Sequence, residues 1–227
     1  MMEVKKKIKE IKETLISTAI EANRDPKEIK LLAVSKRQPT KKIIDAYKAG
    51  QRDFGESFVQ EGLEKIQEIK KLDIKWHFIG HLQSNKTRAV AENFDWIHTI
   101  DNSKTIQRLN DQRPKSLRPL NICLQIKVDE EPSKFGINAS ELPKLVSICA
   151  NLPKISLRGL MCLPAIRTGF KEQRKPFKKL KDLADVLICN GIKIDTLSMG
   201  MSGDYKAAIF EGSTIVRIGT TIFGERS

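Results

Sequence analysis

The chain has 227 residues, a formal net charge of +13 and 40% hydrophobic residues, enough apolar surface for a sizeable core and a length that α/β barrels reach as one domain. No apolar run approaches the roughly 20 residues a membrane helix needs. The opening MMEVKKKIKEIKETL has no apolar core or small-residue cleavage site, so a secretory signal is not expected. Cys123, Cys149, Cys162 and Cys189 form no CxxC pair and read as small apolar residues of a reducing, cytoplasmic compartment. The charge invites a nucleic-acid reading. Against it, the basic residues spread along the whole chain, aromatics are 6%, and no Arg-rich arm or zinc finger occurs. The expectation is no specific nucleic acid but a general attraction to anions, a phosphorylated cofactor included.

In chain order, an opening helix ends near Asn23 and an alternation follows. Apolar, β-branched segments suited to strands buried on both faces lie at 30–36, 52–56, 75–80, 95–100, 121–128, 156–163, 195–200 and 215–219. Between them, helical spacing covers 41–49, 59–70, 84–93, 103–111, 141–151, 174–190 and 203–211. This predicts an α/β fold, a single (β/α)8 TIM-type barrel with an extra N-terminal helix, over 1–227. The rival is an open doubly wound sheet, which usually carries a glycine-rich first turn; here the first strand runs into SKRQPT. The polar stretch 166–179, IRTGFKEQRKPFKK, reads as a surface loop.

Functional groups of such barrels gather at the carboxyl ends of the strands. Lys36 is expected to end the first strand on the face of Leu32 and Val34. It is either a surface residue or an amine at the barrel mouth, where desolvation near other cations lets lysine form a Schiff base with an aldehyde. Near the other end, Ser198, Met199, Gly200 and Met201 lead to Ser202, an N-cap candidate with Asp204 in the first turn. Gly219-Thr220-Thr221 follows the last strand. Glycine, hydroxyls and helix amino termini suit an anion, and the loops after strands seven and eight are where barrels often bind phosphate. Arg217 lies inside the last strand, where a charge needs a partner. It is either a structural ion pair or a cation aimed at a bound ring.

The segments AVSKRQPT, DFGESFVQE, WHFIGHLQSNK, RGLMCLP and LSMGMSGDYKAAIFEGSTIVRIGTTIFGER resemble those of the pyridoxal phosphate homeostasis proteins, single-domain relatives of the alanine racemase barrel. The resemblance covers nearly the whole chain. It implies that pyridoxal 5'-phosphate (PLP) is held as an internal aldimine on Lys36. By the same resemblance Ser198, Ser202, Gly219 and Thr220 match phosphate-holding positions, with Met201 and Thr221 beside them. Arg217 matches the arginine that faces the pyridine nitrogen. A permanently protonated guanidinium keeps that nitrogen unprotonated and the ring a poorer electron sink. The family usually has Asn then Tyr after FGE, where this chain has Ser57 and then Phe58; the resemblance carries Ser57 over as a cofactor-site residue, with a shorter reach. After the fifth strand the chain reads IKVDEEPSKFG in place of an Asn and a Gly-containing turn, which leaves a pocket role for Lys127 open.

His77 and His81 are four apart but straddle a strand end without a third ligand, so no metal site is expected. His81 is expected to border the cofactor pocket through GHLQSNK, and His98 to be a core histidine. Gln83 to Lys86 read as a helix cap. Asp53 and Glu56 are either paired carboxylates or a strand end with one exposed acid. Two functions remain: a PLP-binding protein of cofactor homeostasis without robust turnover, with delivery to other enzymes as a variant, and an amino-acid racemase. Family racemases carry a second domain whose tyrosine serves the opposite face, and a two-base reaction needs acid–base groups on both faces. Here Tyr47 and Tyr205 fall in surface helices, leaving only Lys36 as a base. The expectation is a binding protein, monomeric and without catalytic residues.

Overall fold

The computed structural model describes residues 2–129 and 135–224. Eight parallel strands close a barrel in sequence order: β1 (Lys30–Val34), β2 (Asp53–Glu56), β3 (Lys75–Phe78), β4 (Trp96–Ile100), β5 (Leu120–Gln125), β6 (Ile155–Met161), β7 (Thr196–Met201) and β8 (Ile215–Ile218). Each strand lies where apolar runs predict one. Closure excludes the doubly wound sheet, because β1 pairs with β8 through Lys30↔Ile215 and Leu32↔Arg217. The helices are α1 (Met2–Glu21), α2 (Thr40–Lys48), α3 (Val59–Glu68), α4 (Thr87–Asn93), α5 (Ser103–Gln112), α6 (Leu142–Ala150), α7 (Phe170–Cys189), α8 (Tyr205–Phe210) and α9 (Thr220–Phe223).

Alternation along the strands divides the core in two. Outward residues such as Ala33, Phe54, Phe78, Ile97 and Leu160 meet the helix faces in one apolar cluster that includes Ile43, Leu109 and Phe177. The lumen is different. Its apolar content includes Leu32 and a small group of Trp96, Cys123 and Met161, and beside these sit the buried polar residues His77, His98, Ser198 and Arg217. Barrel interiors are ordinarily layers of branched aliphatic side chains, so this polar filling is a departure that needs partners to hold it. The N-terminal helix buries Val4, Ile8, Ile11, Leu15 and Ala19, a stripe at spacings of three and four, and packs against α2, α8 and α9.

Two expectations need correction. β1 stops at Val34, so Lys36 stands in the following turn rather than in the strand. The stretch 166–179 is a loop only as far as Gly169, because α7 starts at Phe170. Its polar composition hides a buried stripe of Phe177, Leu180, Ala184 and Leu187, whose packing outweighs the backbone donor that Pro176 lacks.

Candidate functional site

At the carboxyl ends of the strands lies a cavity of about 430 Å³. Its wall brings together Lys36, Met201, Ser202, Arg217, Gly219 and Thr220, drawn from β7, β8 and the junctions after β1, β7 and β8. Val34 and Met161 supply apolar wall between them.

Lys36 is held through its neighbours. Ser35 is fully buried; its hydroxyl donates to Glu56 Oε1 at 2.6 Å, and its carbonyl accepts from Lys65 Nζ at 2.8 Å. On the other side Arg37 takes a left-handed φ of 57° and its backbone N–H donates to Glu61 Oε1 at 2.5 Å. Lys65 joins both acids, at 2.9 Å from Glu56 and 2.6 Å from Glu61. Neither sequence reading of Glu56 holds. It is a completely buried carboxylate whose burial pushes it above the ordinary carboxylate value, against the pull of Lys65 and Ser35.

Beside this junction Gly219 lets β8 approach β1 closely, since a Cβ there would lie 3.2 Å from the Val34 carbonyl oxygen. That approach sets Thr220 at the same cavity as Lys36. The turn after β7 is closed by Asp204: its N–H donates to the Met201 carbonyl at 3.0 Å, and its carboxylate accepts from the Met201 N–H at 2.6 Å. Asp204, not Ser202, therefore stands at the N-cap of α8. Ser202 projects from the turn at the cavity wall, two residues too early to cap the helix. Burial pushes the Asp204 carboxyl above its ordinary value.

Arg217 is buried at the base of the cavity and does not form the structural ion pair considered for it. Its Nη1 donates to Ser198 Oγ at 2.8 Å and its Nη2 to the Cys162 carbonyl at 2.9 Å. Burial lowers its pKa, opposed by the charges of nearby groups including Asp204. The same contacts correct the phosphate role expected of Ser198. That residue is fully buried, and its hydroxyl lies between Arg217 and His98 Nδ1, the latter at 2.7 Å. The contacts continue downward: His98 Nε2 is 2.9 Å from His77 Nδ1, and His77 Nε2 is 3.0 Å from Asp53 Oδ1. His98 is thus buried as expected, and His77 with it.

Besides Ser198, three expected residues and Lys127, whose role was open, are not on the cavity wall. Ser57 is half-buried beside Gly80, whose added Cβ would strike the Ser57 carbonyl oxygen. His81 is exposed and stacks on Phe135 with ring centroids 4.0 Å apart. Thr221 is exposed one residue beyond the lining Thr220. Lys127 pairs its backbone N–H with Ile137 O at 2.9 Å, and the turn that follows lies partly outside the described residues. Sequence reasoning missed Arg167, a wall residue held by Asp129 through two hydrogen bonds; a cation shortly after β6 is the only signal it leaves. Among the described residues no cluster of His, Cys, Asp or Glu could hold a metal ion.

The family model described as alanine racemase, N-terminal domain, matches residues 20–227. The chain belongs to that family. Within it, the pyridoxal phosphate homeostasis protein of Vibrio alginolyticus is 51% identical over 207 residues, 89% of each chain. The protein of the same name from Escherichia coli K12 is 47% identical, covering 100% of this chain and 98% of its own. The solved structure of PipY from Synechococcus elongatus with PLP bound superposes with a TM-score of 0.82 at 34% identity, over 98% of this chain and all of its own. The racemase-like barrel expected of this chain is therefore that of its family.

Proposed function

We propose that this chain is a PLP-binding protein of intracellular cofactor homeostasis, with the cofactor attached to Lys36 as a Schiff base. The observation that carries the reading is the meeting of an amine, an anion-suited turn pair and a buried guanidinium on one cavity wall. The volume of about 430 Å³ falls within the usual range for a small-molecule site. The residues fit the group: Thr220 and Ser202 offer hydroxyls to a phosphate, Arg217 offers N–H groups to an aromatic nitrogen, and Val34 and Met161 offer apolar faces to a ring. When bound, PLP supplies an electrophilic aldehyde and a conjugated ring that can take up electrons. Arg217 holds its own protons and leaves the ring nitrogen unprotonated, which weakens that electron sink. Relatives named as homeostasis proteins and a neighbour solved with PLP support the reading.

We read the protein as a holder of the cofactor without robust turnover, working as one monomeric unit with no nucleic-acid partner. Neither Tyr47 nor Tyr205 lies on the described cavity wall, so a tyrosine base opposite Lys36 is not at hand there. The racemase alternative draws on a different observation, since Asp204 is on the wall with a raised carboxyl and could act as an acid. A reducing cytoplasm suits the free cysteines, of which Cys123, Cys149 and Cys162 are buried. Among the described residues no helix is long and apolar enough to cross a membrane.

Absorbance titration with PLP tests the reading. The wild type is expected to develop a visible band that Lys36→Ala abolishes, and a wild type that takes up no PLP defeats it. Efficient racemisation of amino acids at high protein concentration would defeat the choice of holder over enzyme.

A further inference from the structure

The lumen carries an unbroken polar chain through the barrel. Asp53 opens β2, His77 and His98 stand third in β3 and β4, and Ser198 and Arg217 stand third in β7 and β8. Successive contacts are 3.0, 2.9, 2.7 and 2.8 Å. At its lower end Lys30 Nζ lies 3.3 Å from Asp53, and both side chains keep some solvent contact at 38% and 13% exposure. At its upper end Arg217 lines the cavity. His77 is stacked on Trp96 with centroids 5.3 Å apart, so the ring has little freedom to leave the line.

The two ends dictate the direction. A carboxylate only accepts and a guanidinium only donates. Asp53 therefore requires a hydrogen on His77 Nε2, while Arg217 places its hydrogen on Ser198 Oγ and leaves the Ser198 hydrogen to be given onward. With both rings neutral a single arrangement satisfies every contact. Ser198 donates to His98 Nδ1, His98 Nε2–H donates to His77 Nδ1, and His77 Nε2–H donates to Asp53. Burial favours neutral rings: it pushes His98 well below the ordinary histidine value, helped by the charges of His77, Arg217 and Lys30. It also lowers His77, against its hydrogen bond to Asp53 and the charges of Asp53 and Asp95.

We propose that Asp53, His77, His98 and Ser198 form a one-way hydrogen-bond relay that positions Arg217 from the opposite end of the barrel. Its role rests on the PLP reading, for it makes the cofactor-facing guanidinium answer to an aspartate at the amino-terminal mouth. Aligned hydrogen bonds in a low-dielectric interior polarise one another, so the anion at the bottom strengthens acceptance at Ser198. None of the four relay residues lines the cavity. They are positioning residues.

The test begins with the rings themselves. Nitrogen-15 NMR of the full-length protein without added cofactor, at pH 7, is expected to find His77 and His98 neutral with the hydrogen on Nε2. Asp53→Asn keeps an acceptor oxygen and should preserve that pattern, whereas Asp53→Leu should yield mixed tautomers. A hydrogen on His98 Nδ1, or an imidazolium at His77, reverses the direction and overturns the relay. PLP titration followed by absorbance gives the second readout. Ser198→Ala should weaken binding by about tenfold, the scale of a lost hydrogen bond to a charged group. Asp53→Leu should weaken it about fivefold in the wild-type background but little once Ser198 is Ala, the coupling expected within one network. Equal effects of Asp53→Leu in both backgrounds would overturn the positioning role. A wild type without affinity for PLP would sink the cofactor reading, and the ring tautomers alone would then decide the relay.

Discussion

Replacing Lys65 with Met tests the brace beneath Lys36. Lys65 and Glu56 form a buried pair, with side-chain exposures of 7% and 0%, and Glu56 Oε2 already has no hydrogen-bond partner. Without the ammonium, Glu56 keeps only the Ser35 hydroxyl. Removing one member of a buried pair costs about 3–5 kcal/mol. Neutralisation sets a ceiling, because protonating a carboxyl of ordinary pKa 4.5 at pH 7 costs about 3.4 kcal/mol, at about 1.36 kcal/mol per unit. The expected loss is therefore about 3 kcal/mol, or about 6–12 °C in Tm for a chain of this length. Glu56 is already held above its ordinary value by burial, so the folded chain binds more protons there than the unfolded one. Stability falls as pH rises from about 4.5 through the raised value, and Lys65→Met widens that window upward. At pH 5 the neutralisation costs only about 0.7 kcal/mol, so the penalty should shrink toward about 1 kcal/mol. Urea unfolding at pH 5 and pH 7 measures both. Adding Glu56→Gln should restore part of the loss at pH 7. A penalty below about 1 kcal/mol at pH 7, or one that does not change with pH, would refute the reasoning.

Gly159→Ala places a Cβ 1.8 Å from the Thr196 carbonyl oxygen; separating β6 from β7 should cost about 3 kcal/mol or more in urea unfolding. Phe177→Ala should cost about 3–5 kcal/mol, a loss that a residue in a surface loop would not show. Burial holds His77 and His98 below their ordinary value of 6.5, so the folded chain binds fewer protons than the unfolded one there. The stability they contribute is complete above 6.5 and is lost as pH falls below it through the folded values. Unfolding free energies at pH 7, 6 and 5 should decline by up to about 1.4 kcal/mol per unit for each histidine, and more shallowly in His98→Gln.

The barrel was legible because strands buried on both faces announce themselves as apolar runs, and eight such runs alternate with amphipathic ones. Segment ends were less so. Nothing in KLLAVSK marks Val34 as the last paired residue, since strand pairing is decided by β2 and β8. The polar face of α7 masked its buried stripe because the stripe is carried by few large residues. Of the site, Lys36, Met201, Ser202, Gly219 and Thr220 could be read from their places at or after strand ends together with the family resemblance, and Arg217 as a charge inside the last strand. Ser198 could not be separated from Ser202 by sequence, as only the barrel's closure shows which hydroxyl meets Arg217 and which meets the cavity. The link from His98 to Ser198 spans 100 positions, and no local pattern encodes it.

The central claim is that one lysine holds the cofactor. It is tested most directly by incubating the full chain with stoichiometric PLP, reducing with borohydride and mapping the modified peptides by mass spectrometry. The fixed label is expected on the peptide containing Lys36 and should disappear in Lys36→Ala. A label spread over surface lysines, or one that persists in that variant at equal yield, would contradict it.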